Sequence, residues 1–150
     1  MKKKILVVDD DPKIVQALRI RLLVAGYEVE TASDGVAGLN TAISWKPDLV
    51  ILDIMMPVGG GFSVAYRLRE QSPGLPFIFI TASKQPGLRA MGDNLGAVGF
   101  LEKPYEKEDL LAAVAEAFQP PAPPAPPPNN PPVTYPIDSN DRLGVSILLP

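Results

Sequence analysis

Four apolar runs in this sequence each lead into residues with a carboxylate, hydroxyl or ammonium group. Three consecutive aspartates, residues 9–11, follow KILVV. Asp53 follows LVIL, Thr81 follows FIFI, and Lys103 lies in FLEKPY. If the runs are parallel strands of one sheet, their carboxyl ends share an edge, and these side chains converge on one small site.

The carboxylates predict a magnesium site. Carboxylates that crowd together repel one another and need a cation between them. Oxygen ligands without histidine or cysteine suit Mg²⁺, which binds through a few carboxylates, retained waters and phosphate oxygens. We expect Asp10 and Asp53 to be direct ligands and Asp9 to lie behind them, bound through water. We interpret Asp11, which precedes Pro12, as a helix cap.

The same set of side chains favours phosphoryl transfer. A carboxylate can attack phosphorus and form an aspartyl phosphate. A threonine hydroxyl and a lysine ammonium, placed opposite the metal, would donate to the phosphoryl oxygens. The residues therefore predict phosphoryl transfer onto an aspartate, assisted by Thr81 and Lys103.

The elements that must position these residues alternate between strand and helix. Continuous apolar runs or β-branched residues predict strands at residues 4–8, 27–32, 49–52, 77–80 and 98–101. Helical spacing and end signals predict helices at residues 12–25, 35–46, 62–69, 88–95 and 106–118. The second predicted helix, capped by Asp34 and ended by Pro47, carries the apolar residues Val36, Leu39, Ile43 and Trp45. The pattern indicates an α/β fold, a three-layer α/β/α sandwich around a five-stranded parallel sheet.

Proline divides the chain into parts. Eleven of its 18 prolines lie between Pro120 and Pro150, and such a run favours extended polyproline II. We predict a globular domain at residues 1–118, a proline-rich linker at 119–136 and a short segment at 137–150. The last segment could be a disordered end, the start of a missing effector region, or a docking arm through residues 145–149.

Composition excludes several function classes. The chain has 150 residues, a net charge of −3, no cysteine and no histidine. Thiolate catalysis, a Ser-His-Asp triad and His- or Cys-bound metals are therefore excluded. The charge argues against direct nucleic-acid binding by this chain. No apolar run is long enough to span a membrane, and the start is not a signal peptide, so we expect a cytoplasmic protein.

The motifs VVDDD, LDIMMP, ITA and EKPY occur in this order, and residues 3–118 resemble a two-component response regulator receiver domain of the chemotaxis type. The resemblance implies a flavodoxin-like fold with strand order 2-1-3-4-5. It implies that Asp53 accepts a phosphoryl group from a sensor histidine kinase or a phosphotransfer protein, and later loses it by self-catalysed hydrolysis. It also implies that Mg²⁺ is held by Asp10, Asp53 and the backbone carbonyl of Met55.

The resemblance further implies a conformational switch. Thr81 would turn toward the phosphoryl oxygens, Lys103 would pair with one of them, and Phe100 would rotate inward. The output would pass through the surface formed by the fourth helix, fifth strand and fifth helix, called here the 4-5-5 face. That face would control a separate output protein or self-dimerisation. Pro104 matches the family's cis peptide bond.

Other functions stay open at this point. A phosphorylation-independent receiver-like scaffold is the main alternative. An aspartate-nucleophile phosphatase needs a second acid two residues after the nucleophile, where this chain has Met55. A flavodoxin needs donors to the flavin phosphate after its first strand, where this chain has three acids. Phe100 lacks the hydroxyl that many relatives carry as tyrosine, and residues 58–61 (VGGG) form an unusually glycine-rich loop.

Overall fold

The computed structural model describes residues 1–57 and 60–119. Five parallel strands form one sheet in the order β2-β1-β3-β4-β5, as expected. The strands are β1 Lys4–Val8, β2 Glu28–Ala32, β3 Leu49–Asp53, β4 Phe77–Thr81 and β5 Gly99–Glu102. The helices are α1 Pro12–Val24, α2 Gly35–Trp45, α3 Gly61–Gln71, α4 Leu88–Asn94 and α5 Lys107–Ala117.

The central strands are buried on both faces because their sequences are apolar throughout. In β1, β3 and β4, successive side chains point to opposite faces of the sheet. One set, which includes Leu6, Leu52 and Phe79, packs with buried residues of α2 and α3. The other set, which includes Ile5, Ile51 and Ile80, packs with buried residues of α1 and α5. These two layers of core hold the sheet rigidly between helices.

Local signals in the sequence start the first two helices. Asp11 precedes α1, and its carboxylate accepts a hydrogen bond from the Lys13 N–H at 2.9 Å. Asp34 precedes α2 and accepts from the Ala37 N–H at 2.8 Å. Each cap satisfies a backbone donor that a helix leaves unpaired at its start. The interpretation of Asp11 as a cap is confirmed.

The large apolar residues of α2 divide between the core and the solvent. Val36 and Ile43 are exposed, whereas the buried residues of α2 are Gly35, Gly38 and Ala42. The reason is close packing on β1: a Cβ at position 38 would lie 2.8 Å from a methyl carbon of Val8. The small residues therefore face the sheet, Leu39 and Trp45 pack against the core while partly buried, and Val36 and Ile43 turn toward solvent.

The predicted linker and end segment lie outside the described residues, apart from Gln119. The division of the chain into 1–118, 119–136 and 137–150 accordingly stays a prediction. Over the part of the chain that the structure covers, no helix has the length and apolar character needed to cross a membrane.

Candidate functional site

The fold brings the predicted chemical residues to one edge of the sheet. Asp53 is the last residue of β3, and Thr81 is the last residue of β4. Asp9 directly follows β1, and Lys103 directly follows β5. Because all these strands run in parallel, their carboxyl ends lie side by side. The convergence expected from the sequence is therefore present.

Three carboxylates lie close together at this edge. One oxygen from each of Asp9, Asp10 and Asp53 lies within 4.8 Å of the others. Asp9 and Asp53 are buried, while Asp10 is exposed. An all-carboxylate set that is open on one side fits a hard divalent cation that keeps part of its water shell.

Lys103 lies between the two buried carboxylates but closer to one of them. Its Nζ is 2.9 Å from Oδ2 of Asp9 and 3.8 Å from Oδ2 of Asp53. The second oxygen of Asp9 accepts a hydrogen bond from the Asp11 N–H at 2.9 Å. Asp9 is thus engaged on both oxygens, which leaves Lys103 only a longer electrostatic contact with Asp53.

Asp53 is a poorly compensated buried acid. Burial, followed by the negative charge of Asp9, raises the pKa of Asp53 from 3.8 to about 6. The ammonium of Lys103 and a hydrogen bond from the Met55 N–H, at 3.3 Å from Oδ1, act in the opposite direction. A cation placed among the three carboxylates would favour the ionised form of Asp53, which is the form that can act as a nucleophile.

Thr81 is fully buried beside this group. Its Oγ1 accepts a hydrogen bond from the Ser83 N–H at 3.0 Å, and its carbonyl accepts from the Lys103 N–H at 2.7 Å. The Lys103–Pro104 peptide bond is cis, as the resemblance implied. Thr81 therefore links the end of β4 to the residue that carries the ammonium group.

Comparison with known proteins now decides the family. Residues 5–115 match the family described as the response regulator receiver domain. The chain belongs to this family. The match covers both core layers and every residue of the carboxylate site, and it gives no support to a scaffold that works without phosphorylation.

Relatives of this receiver domain are regulators from several bacteria. The DNA-binding dual master transcriptional regulator RpaA of Synechocystis sp. is 41% identical over 113 residues, which cover 74% of this chain and 47% of RpaA. The alkaline phosphatase synthesis transcriptional regulatory protein PhoP of Bacillus subtilis is 41% identical over 114 residues, covering 76% and 48% of the two chains. This chain spans about half the length of these two curated relatives.

A solved structure shows the same architecture. The chemotaxis protein CheY4 of Vibrio cholerae has 37% sequence identity and a TM-score of 0.74, over 79% of this chain and 100% of that one. The flavodoxin-like fold implied by the resemblance is therefore confirmed, as is the assignment to two-component response regulators.

Phe100 lies on the 4-5-5 face of the receiver domain rather than among the carboxylates. It is half-buried on β5, where it is the register partner of Phe79. The guanidinium carbon of Arg89 on α4 lies 5.7 Å from the centre of its ring. The aromatic ring thus bridges the core and α4, but the structure does not bring it into the carboxylate site.

Two features close to the site could not be predicted from the sequence. Lys84, in the loop after β4, forms a 3.0 Å ion pair with Glu102 at the end of β5. Gly61, the first residue of α3, contacts the backbone of Asp53. The glycine run at residues 59–61 was the available signal for the second feature, but the sequence does not show that Gly61 lies against Asp53.

Proposed function

We propose that this receiver domain accepts a phosphoryl group on Asp53, in a Mg²⁺-dependent reaction, from the phosphohistidine of a sensor histidine kinase or a phosphotransfer protein. The observation that carries the proposal is the buried Asp53 carboxylate, with Asp9 and Asp10 within 4.8 Å and Lys103 at 3.8 Å. A carboxylate of this kind is a nucleophile placed where opposing positive charge is available.

In the proposed reaction, a carboxylate oxygen of Asp53 forms a bond to phosphorus as the phosphorus–nitrogen bond of the donor breaks. The imidazole of the donor leaves with the bonding electron pair. Asp10, Asp53 and the backbone carbonyl of Met55 would hold the metal ion, with Asp9 acting through water. When bound, Mg²⁺ supplies positive charge that offsets the repulsion between the carboxylates and the phosphoryl group.

Two residues of the chain complete the site. The ammonium of Lys103 pairs with one phosphoryl oxygen, and the hydroxyl of Thr81 donates to another. In this way the receiver domain assists its own phosphorylation and, later, the hydrolysis of its aspartyl phosphate. It belongs to a family of signalling regulators rather than of conventional enzymes.

The 4-5-5 face is the proposed output surface. Phe100, Arg89 of α4, and the acidic residues Asp109 and Glu116 of α5 all line an open depression of about 480 Å³ on this face. A basic side chain and acidic side chains lie near one another on this face. Such an arrangement suits a two-fold contact with a second copy, or contact with a partner of complementary charge. Movement of Thr81 and Phe100 would alter this surface.

Direct nucleic-acid binding by this chain is not part of the proposal, because its net charge is −3. RpaA and PhoP carry the names of transcriptional regulators, but this chain matches only about half of each. Control of transcription would therefore require a partner or residues beyond the matched part. A cytoplasmic location stays a prediction.

Labelling with a small phosphodonor tests the acceptor. With Mg²⁺ present, we expect the unsubstituted chain to gain one phosphoryl group and Asp53→Asn to gain none. Asp93→Asn, on the exposed surface of α4, is the matched control and should label normally. Labelling of Asp53→Asn to full stoichiometry would contradict the assignment.

Light scattering tests the output. With Mg²⁺ and beryllofluoride, a phosphoryl mimic, a molar mass that doubles would show that phosphorylation drives self-dimerisation. An unchanged monomer would assign the 4-5-5 face to a separate output protein.

A further inference from the structure

Helix α3 begins in direct contact with the backbone of the phosphoacceptor. The Gly61 N–H donates a hydrogen bond to the carbonyl of Ile54 at 3.0 Å. A Cβ built on Gly61 would lie 2.3 Å from the carbonyl oxygen of Asp53 and 3.0 Å from its carbonyl carbon. These are backbone atoms, so no side-chain rotation could relieve the clash.

The contacted peptide is also fixed from the other side. Asp53 is the register partner of Ile80, and the Ile54 N–H donates to the carbonyl of Ile80 at 3.0 Å. The peptide that joins Asp53 to Ile54 is therefore held between β4 and the first residue of α3. Since both neighbours are packed into the core, a group added at position 61 would displace either the start of α3 or Asp53 itself.

Two other glycines provide a contrast. A Cβ at Gly99, on β5, would meet only the side chain of Ile78, at 3.1 Å. A Cβ at Gly60 would meet the carbonyl oxygen of Ile54 at 3.1 Å. Gly61 is thus the position at which a single methyl group would press on the backbone of Asp53, while Gly60 touches the neighbouring peptide.

We propose that Gly61 is a positioning residue: its missing side chain allows α3 to abut the Asp53–Ile54 peptide and so sets where the Asp53 carboxylate lies relative to Asp9, Asp10 and Lys103. The inference rests on the proposed function of Asp53 as acceptor and adds the residue that places it. Relief of a 2.3 Å contact requires a shift of about 1 Å, and a misplacement of that size can cost on the order of 10²-fold in rate.

The test compares Gly61→Ala with Gly99→Ala and the unsubstituted protein, all as full chains. For each, urea unfolding gives the folded fraction, calorimetry gives the Mg²⁺ dissociation constant, and a small phosphodonor gives the phosphorylation rate at saturating Mg²⁺. We expect Gly61→Ala to lower the rate per folded molecule by about 100-fold and to weaken Mg²⁺ binding. We expect Gly99→Ala to lose stability by overpacking while keeping both site properties.

Mg²⁺ affinity separates positioning from a merely structural role. If Gly61→Ala loses activity only in proportion to its folded fraction, with an unchanged Mg²⁺ dissociation constant, the inference is overturned. A rate and an affinity like those of the unsubstituted chain overturn it as well. If the unsubstituted chain is not phosphorylated, the proposed function fails, and the Mg²⁺ affinities still decide the role of Gly61.

Gly60→Ala keeps the inference testable if Gly61→Ala does not fold. The added methyl group at position 60 would meet the carbonyl oxygen of Ile54 less closely, so the fold should be retained. The methyl group should shift the start of α3 relative to Ile54 and lower the phosphorylation rate severalfold. In that case an unchanged rate and an unchanged Mg²⁺ affinity in Gly60→Ala would overturn the inference.

Discussion

At the scale of single residues, hydrogen bonding distinguishes the two buried acids of the site. Asp9 accepts from the Asp11 N–H on one oxygen and from Lys103 on the other, both at 2.9 Å. Among the described residues, Asp53 accepts one weaker hydrogen bond, from the Met55 N–H at 3.3 Å. Asp9 is therefore suited to hold Lys103 in place, while Asp53 retains the capacity to bind a metal ion or attack phosphorus.

The raised pKa of Asp53 predicts a stability that depends on pH. The folded chain holds this proton more tightly than the unfolded chain does. The free energy of unfolding therefore falls as pH rises from about 4 through about 6. Without added Mg²⁺, Asp53→Asn should therefore raise the free energy of unfolding at pH 7, by at most roughly 3 kcal/mol given a shift from 3.8 to about 6. The gain should fade toward pH 4.

Urea unfolding at the two pH values checks this prediction, with Asp93→Asn as the matched surface control. A gain in Asp53→Asn that is the same at both pH values would show that burial of charge is not its source. A loss of stability at pH 7 would contradict the electrostatic account of the site.

At the scale of secondary structure, α4 is the shortest of the five helices that the structure describes. It has seven residues and no side-chain cap at its start. Its end is tied to α3 by Arg69, whose guanidinium donates to the carbonyls of Asn94 and Leu95 at 3.4 and 3.2 Å. A short helix with few anchors opens locally at low cost, which suits an element of a switching surface.

Arg69→Ala should loosen α4 without unfolding the domain. Loss of the exposed hydrogen bonds should cost about 0.5–1 kcal/mol of local stability, which corresponds to amide exchange in α4 that is about two- to fivefold faster. Hydrogen exchange checks this, with Arg67→Ala on the same helix as the control. Equal exchange in the two variants would contradict the anchoring role of Arg69.

The sequence was enough to predict which elements carry the site, but not their contacts in detail. The ends of parallel strands must meet at one edge, so the convergence of Asp9, Asp53, Thr81 and Lys103 could be predicted from apolar runs. Two contacts depend on atomic positions that a pattern of apolar residues does not specify. They are the closer pairing of Lys103 with Asp9 and the contact of Gly61 with Asp53. The small-residue face of α2 likewise depends on how closely that helix approaches β1.

At the scale of the whole molecule, the site and both core layers lie in one continuous part of the chain. Among residues 1–57 and 60–119, the buried hydrophobic residues run from Ile5 to Val114, and the family match covers residues 5–115. Each layer closes one face of the same sheet, so the carboxyl edge is held from both sides. This part of the chain contains what the proposed chemistry requires.

A chain that ends at Gln119 should therefore fold and accept phosphate like the full chain. We expect its free energy of unfolding to agree with that of the full chain within about 0.5 kcal/mol, since every core residue among residues 1–57 and 60–119 is retained. Urea unfolding and phosphodonor labelling of both chains check this. A truncated chain that is unfolded or unreactive would contradict the predicted domain at residues 1–118.

The central claim is that Asp53 receives the phosphoryl group with the help of Mg²⁺, and beryllofluoride binding measured by calorimetry tests it most directly. We expect one bound beryllofluoride per chain when Mg²⁺ is present, and none without Mg²⁺ or in Asp53→Asn. Equal binding by Asp53→Asn, or binding that is indifferent to Mg²⁺, would contradict it.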